Sequence, residues 1–326
     1  MFYLGDNKSM LNFAFFLKTY REDYERALRL IDSYQKYNVD AIPLFLMCPE
    51  IDMEVFLPCV TQGVTIIKEE DIKTEIFTED GQWTAGYLNQ EIYKLAFWEL
   101  GLCNNYICLD SDGIFIRPFY KKDFMYDENT PYTTLVEDND LRADCYYNQM
   151  YWNGRRERIR KIEDTMDFHP YKLMTCHGFQ IFSGKVLKSL KEDFMKAKGY
   201  SYKNLIEIAP YEFTWYNLWL QKSVCIPIHI CEPVFKTFHL KQHHIFNVLK
   251  GMNIEDWSRG YVGIIVNSNY GVGNGEYDDL LVYNTQNADI PDSIVIKNYL
   301  FYRRLKRGIF KRKIKGALMY ARRLFD

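Results

Sequence analysis

A chain of 326 residues, 48% hydrophobic and 17% aromatic, can bury a large core, which excludes a disordered protein. Of its 41 basic and 43 acidic side chains, ten Lys/Arg and one acidic residue fall between Arg303 and Asp326. The remainder therefore carries a net charge of −11, which excludes a general nucleic-acid binder.

No run reaches the ~18–20 apolar residues of a membrane-spanning helix. The early "NFAFFLKTY" has neither a basic segment ahead of it nor a small-residue cleavage site, so it reads as a first strand and the protein is expected in the cytoplasm. After the strand "FAFFLKTY" (13–20) comes the helical "EDYERALRLIDSYQKY", with Ala27, Leu28, Ile31 and Tyr34 at helical spacing. "IPLFLMCP" (42–49) and "VTIIK" (64–68) read as the next strands. "TAGYLNQEIYKLAFWELG" (84–101) reads as a helix stopped by Gly101. "YICLD" (106–110) is the fourth strand. Alternating strands and helices predict an α/β fold with a mostly parallel sheet, whose ligands bind beyond the strand carboxyl ends. In the second half, 131–138, 177–184 and "CIPIHI" (225–230) read as strands, as does "YVGIIVN". "VLKSLKEDFMKAKGY" and "PYEFTWYNLWLQKS" read as helices. The eight cysteines include no CxxC pair, so they read as small buried hydrophobes rather than zinc ligands or a disulfide framework. "GVGNG" (271–275) reads as a turn, since glycines without a following helix are weak evidence for a phosphate loop.

The fourth strand ends in Asp110-Ser111-Asp112. Along an extended backbone, residues two apart point the same way, so the two carboxylates can converge on one cation. Hard oxygen donors suit Mg²⁺ or Mn²⁺, with a substrate phosphate completing the coordination. A plain Asp-x-Asp-Gly turn capping the strand is the competing reading. An EF-hand is excluded, because Ile114 and Lys121 stand where its ligands belong. A haloacid-dehalogenase-like phosphohydrolase, with Asp110 as nucleophile, is a weaker alternative: three strand–helix units precede the motif, and Ile114 follows Gly113.

Residues 12–270 resemble the GT-A-fold glycosyltransferases, in particular bacterial polysaccharide-type members with a DxD loop. The resemblance rests on "KTYRED" after the first strand, "WTAGYLNQEIYKL" before the motif strand, "ICLDSDGIFIRPF" itself, and then "HGFQIFSGKVLKSL", "APYEFTWYNLWL" and "FKTFHL" in that order. It implies one domain over 1–290, with a nucleotide-binding half (1–120) and an acceptor-binding half (121–290). It also implies transfer from a nucleotide-diphosphate sugar, most simply a UDP-sugar, to a cell-surface polysaccharide or lipid-linked glycan. Asp110, Asp112 and His239 would hold the metal, with His243 and His244 as substitutes for the histidine. Glu212, opening a helix, would be the base of an inverting transfer; an ordinary first-turn Glu is the bland alternative. Thr19, Tyr20, Arg21 and Asp23 would lie by the nucleotide, with Tyr20 stacking on the base and Asp23 accepting from the ribose or capping the next helix. Ser111 lies within the motif, and Lys94 and Arg117 would face the diphosphate.

The tail, 291–326, places Leu305, Ile309, Ile314 and Leu318 on one stripe among basic residues, the pattern of an amphipathic helix on anionic lipid. The expected location is therefore the inner face of the membrane. A catalytically inactive scaffold of the same fold is the non-enzymatic alternative.

Overall fold

The computed structural model describes residues 10–60, 63–135, 153–170, 178–238 and 252–266, with scattered positions between 303 and 318. β1 (Leu11–Lys18) is flanked by β2 (Leu44–Cys48) and β4 (Cys103–Leu109), both parallel to it. β3 (Val64–Lys68) extends the sheet beyond β2, and β6 (Gln180–Ser183) runs antiparallel on the far side of β4. The order is β3-β2-β1-β4-β6. A second sheet, β5-β8-β7, combines β5 (Gly113–Phe115), β8 (Gly263–Val266) and β7 (Phe235–Phe238). The α/β architecture, with a mostly parallel sheet and flanking helices, is the one expected.

Alternation along β1 builds the core on both faces. Phe13, Phe15 and Leu17 pack with Ala27, Leu30, Ile31 and Tyr34 of α1 (Tyr24–Tyr37), whereas Ala14 and Phe16 pack with α3 (Ala85–Ala96). Between them in sequence lies α2 (Met53–Val60). α3 continues as a 3-10 turn to Gly101, whose left-handed backbone (φ +65°) supplies the expected stop. Further on come α4 (Asn153–Met166), α5 (Gly184–Ser189), α6 (Tyr202–Ile208) and α7 (Glu212–Ser223). In α7 every residue from Glu212 to Leu220 is buried, so this helix is enclosed on all sides.

Two expected strands are corrected. "CIPIHI" forms none: Pro227 cannot donate to a ladder, and only Ile230 makes an isolated bridge, to Thr133. Pro131 and Thr133 likewise make isolated bridges only, and 136–138 lie outside the described residues. Cys48, Cys59, Cys103 and Cys108 are buried as expected, but Cys225 is exposed and Cys231 half-buried; Cys145 and Cys176 lie outside the described residues.

The chain divides into two compact units. The first comprises Met1–Asn139, Gly154–Thr237 and Gly260–Ile265. The second comprises Asp140–Asn153, Phe238–Arg259 and Val266–Asp326. Its α8 (Ile254–Ser258) starts on a reciprocal cap between Asn253 and Asp256, and Trp257 is buried with its ring 5.1 Å from that of Phe238. The described tail positions are helical, and Phe310, Ile314 and Leu318, four residues apart, are exposed. Leu305 and Ile309 lie outside the described residues.

Candidate functional site

The main sheet has one topological switch point. From β1 the chain builds outward through β2 and β3, then returns to place β4 on the other side of β1. Ligand crevices of α/β sheets open at that point, beyond the strand carboxyl ends. Here those ends are Lys18-Thr19-Tyr20 and Leu109-Asp110-Ser111, with Leu17 registered against Leu109.

Asp110 through Gly113 form a tight turn, with the Gly113 N–H donating to the Asp110 carbonyl at 3.1 Å. The backbone is therefore not extended between the two aspartates, and the two-residue alternation does not govern their directions. A Cβ at Gly113 would lie 3.2 Å from Leu30 Cδ1 and 3.3 Å from the Asp110 carbonyl, so the turn is tightly seated over α1. Ser111 Oγ donates to Asp23 Oδ2 at 3.0 Å, and Asp23 Oδ1 also takes Arg26 Nη1 at 2.5 Å. Asp23 makes no side-chain cap to α1; its carboxylate ties the motif turn to the start of that helix instead.

Behind Asp110 is a buried cluster of charge. Lys94 Nζ lies 3.0 Å from Asp110 Oδ1, 3.1 Å from Glu212 Oε1 and 3.6 Å from Glu91 Oε2. The Lys94, Glu91 and Glu212 side chains are 3%, 4% and 7% exposed, against 35% for Asp110. Burial alone would pull the Lys94 ammonium down, but Asp110, Glu212 and Glu91 outweigh it and hold the group well above the usual lysine range. Burial, then the charge of Glu212, pushes the Glu91 carboxyl well above the usual carboxylate range. Burial would raise Glu212 as well; Lys94 and the Glu91 hydrogen bond outweigh it and hold Glu212 low. Glu91 was not anticipated. Its signal in the sequence is a charged pair three residues apart, Glu91 and Lys94, among Leu88, Ile92 and Leu95.

The other anticipated residues divide. Thr19 is 2% exposed, and its hydroxyl has no hydrogen-bond partner among the described residues. Tyr20 is exposed at the same strand end. Arg21 is held by buried Asp52, through its backbone N–H at 3.0 Å and its Nε at 2.5 Å, and by the Ile51 carbonyl at 2.9 Å. Arg117 is occupied by the carbonyls of Tyr261 (3.1 Å) and Pro118 (2.9 Å) and by Asp123 (3.7 Å), none of them a site residue. His239, His243 and His244, and the 271–275 glycines, lie outside the described residues. Beside Glu212, Tyr211 is capped by the Arg155 guanidinium 5.0 Å over its ring and accepts from Arg158 at 3.3 Å.

Among the described residues no three His, Cys, Asp or Glu side chains come together as a metal site. Asp110 and Asp112 supply two hard oxygen donors, a set that suits Mg²⁺ or Mn²⁺ when substrate phosphates complete the coordination. No helix among the described residues is long and apolar enough to cross a membrane.

No curated protein matches the chain. Among solved structures it is similar to mouse xyloside xylosyltransferase 1 in its apo form, with 9% identity, a TM-score of 0.43 and coverage of 81% of this chain and 100% of that one. It is also similar to apo WbbM, a bifunctional glycosyltransferase, with 11% identity, a TM-score of 0.48 and coverage of 90% of this chain; it spans 52% of WbbM. Residues 11–247 match the family described as a family of unknown function, DUF6492, and the chain belongs to that family.

Proposed function

We propose that the protein is a metal-dependent glycosyltransferase of the GT-A type. It would move a sugar from a nucleotide diphosphate, most simply a UDP-sugar, to a cell-surface polysaccharide or lipid-linked glycan. The observation that carries this reading is the Asp110–Gly113 turn closing β4 at the switch point, bonded through Ser111 to Asp23 at the start of α1. The buried, unsatisfied Thr19 hydroxyl supports it, since such groups ordinarily find a partner. So does exposed Tyr20, an available ring at the same strand end.

Loss of a diphosphate builds negative charge, which a divalent cation bound to Asp110 and Asp112 would neutralise. In this reading the acceptor's proton does not go to Glu212: a base needs access and a pKa near the working pH, and Glu212 is buried and held low by Lys94. The basic tail, with Phe310, Ile314 and Leu318 exposed on one helical stripe, is proposed to rest on anionic lipid where such acceptors sit.

UDP binding to the full-length chain, with and without Mn²⁺, tests the assignment. Mn²⁺ should tighten it, and Asp112→Asn should abolish the Mn²⁺ effect with an unchanged melting temperature. UDP binding indifferent to Mn²⁺ would overturn it. Phosphate release from simple phosphomonoesters, lost in Asp110→Asn, would favour a phosphohydrolase instead. For the tail, sedimentation with acidic vesicles should be lost when the chain is cut near Asp292.

A further inference from the structure

Lys94 gathers three carboxylates from three separate elements: Glu91 from its own helix, Asp110 from the end of β4, and Glu212 from the first turn of α7. Its backbone is also fixed, because the buried Tyr106 hydroxyl of β4 donates to the Lys94 carbonyl at 2.7 Å. The Phe213 ring lies 5.1 Å from its ammonium. Taking several charges out of water is expensive, and a buried ion cluster is often no more stable than apolar residues of the same volume. Fold stability therefore does not account for an ammonium at this position. Its effect on Asp110 does, because Asp110 is the one partner whose side chain reaches solvent appreciably.

We propose that Lys94 is the positioning residue of the site: it grips one oxygen of Asp110 and fixes the direction in which that carboxylate is offered to a divalent cation. Glu212 and Glu91 serve to hold Lys94 in place. This rests on the metal-dependent reading above. It departs from the sequence expectation for both residues, since Lys94 would not reach the diphosphate and Glu212 would not take the acceptor's proton.

Charge and positioning predict opposite signs. An ammonium 3.0 Å from a ligand oxygen repels a cation, so on charge alone Lys94→Met should bind Mn²⁺ more tightly. If Lys94 orients Asp110, the same change should weaken Mn²⁺ binding by about 10-fold or more, as loss of a group that orients a metal ligand does. Mn²⁺ itself is the probe, followed by its electron paramagnetic resonance signal on the full-length chain with and without UDP. The double variant Lys94→Met/Glu212→Gln removes one charge of each sign and guards against a folding failure in the single variant. It too should bind weakly. Should neither neutral variant fold, Lys94→Arg decides, because it keeps the charge and changes the geometry: weaker binding supports positioning, and unchanged binding overturns it. Binding as tight as wild type, or tighter, in either neutral variant also overturns it while leaving the metal-dependent reading intact. Wild-type protein that binds no Mn²⁺ in either condition overturns both.

Discussion

The two flanks of the sheet's carboxyl end treat charge in opposite ways. On the α3–α7 flank, Lys94, Glu91 and Glu212 are withdrawn from water, with the ammonium 3.1 Å from Glu212 and 3.6 Å from Glu91. On the β2–β3 flank, Lys68 and Glu50 pair while 37% and 60% exposed. Pairs of this exposed kind contribute little, because water and salt screen them and two long side chains must be held still. A buried cluster is different, because removing one member strands the others.

Removing the central cation should give the largest effect. Lys94→Met leaves Glu212 and Asp110 without their shared counter-charge and should cost about 3–5 kcal/mol of unfolding free energy in urea titrations. A loss no larger than that of an exposed pair would erase the contrast between the flanks. Next comes Glu212→Gln, at about 1–3 kcal/mol near neutral pH. The Glu212 carboxyl is held low in the folded state, so its contribution is present above the unfolded value of roughly 4.3 and disappears as pH falls through the folded value. The gap between wild type and Glu212→Gln should accordingly close in acid.

Glu91→Gln should matter less in acid, within about 1 kcal/mol of wild type below roughly pH 4.3, where the carboxyl is protonated in both the folded and the unfolded state. The sign of its pH dependence is the reverse. A raised folded value gives stability that is present below roughly pH 4.3 and is lost as pH rises toward the folded value. Glu91→Gln should therefore gain on wild type between pH 4 and pH 7, and a loss over that interval would mean that Glu91 is ionised. Smallest of all is Lys68→Ala on the exposed flank, for which no measurable change in melting temperature is expected.

Much of this architecture was legible because local periods carry it. The continuous apolar run in "NFAFFLK" declares a strand covered on both faces, helical spacing declares one face of α1, and Gly101 marks a stop. β5 was missed because three residues leaving a turn have no period to read. α7 was legible as a helix but not as one enclosed on all sides, since its polar Glu212, Thr214 and Asn217 suggest an exposed face yet are buried. At the site, Asp110 stood out because it ends an apolar strand. Lys94 and Glu212 were named separately, yet 118 residues part them in sequence, and only the tertiary structure brings them together. Asp23 was read from its neighbours as a cap or a ribose partner, whereas its bond to Ser111 spans 88 residues.

The central position of β1 has a consequence in time. Phe13 through Leu17 are buried on both faces of the sheet, yet one neighbouring strand, β4, lies about ninety residues later in the chain, with Leu11 paired to Cys103. At ribosomal rates of about 5–20 residues per second, some 5–20 s separate the synthesis of the two strands. Throughout that interval "FAFFL" has one unfilled edge and two uncovered aromatic faces, the features of a segment that recruits other nascent chains. Yield in cells should therefore depend on chaperone supply during translation more than on the stability of the finished fold.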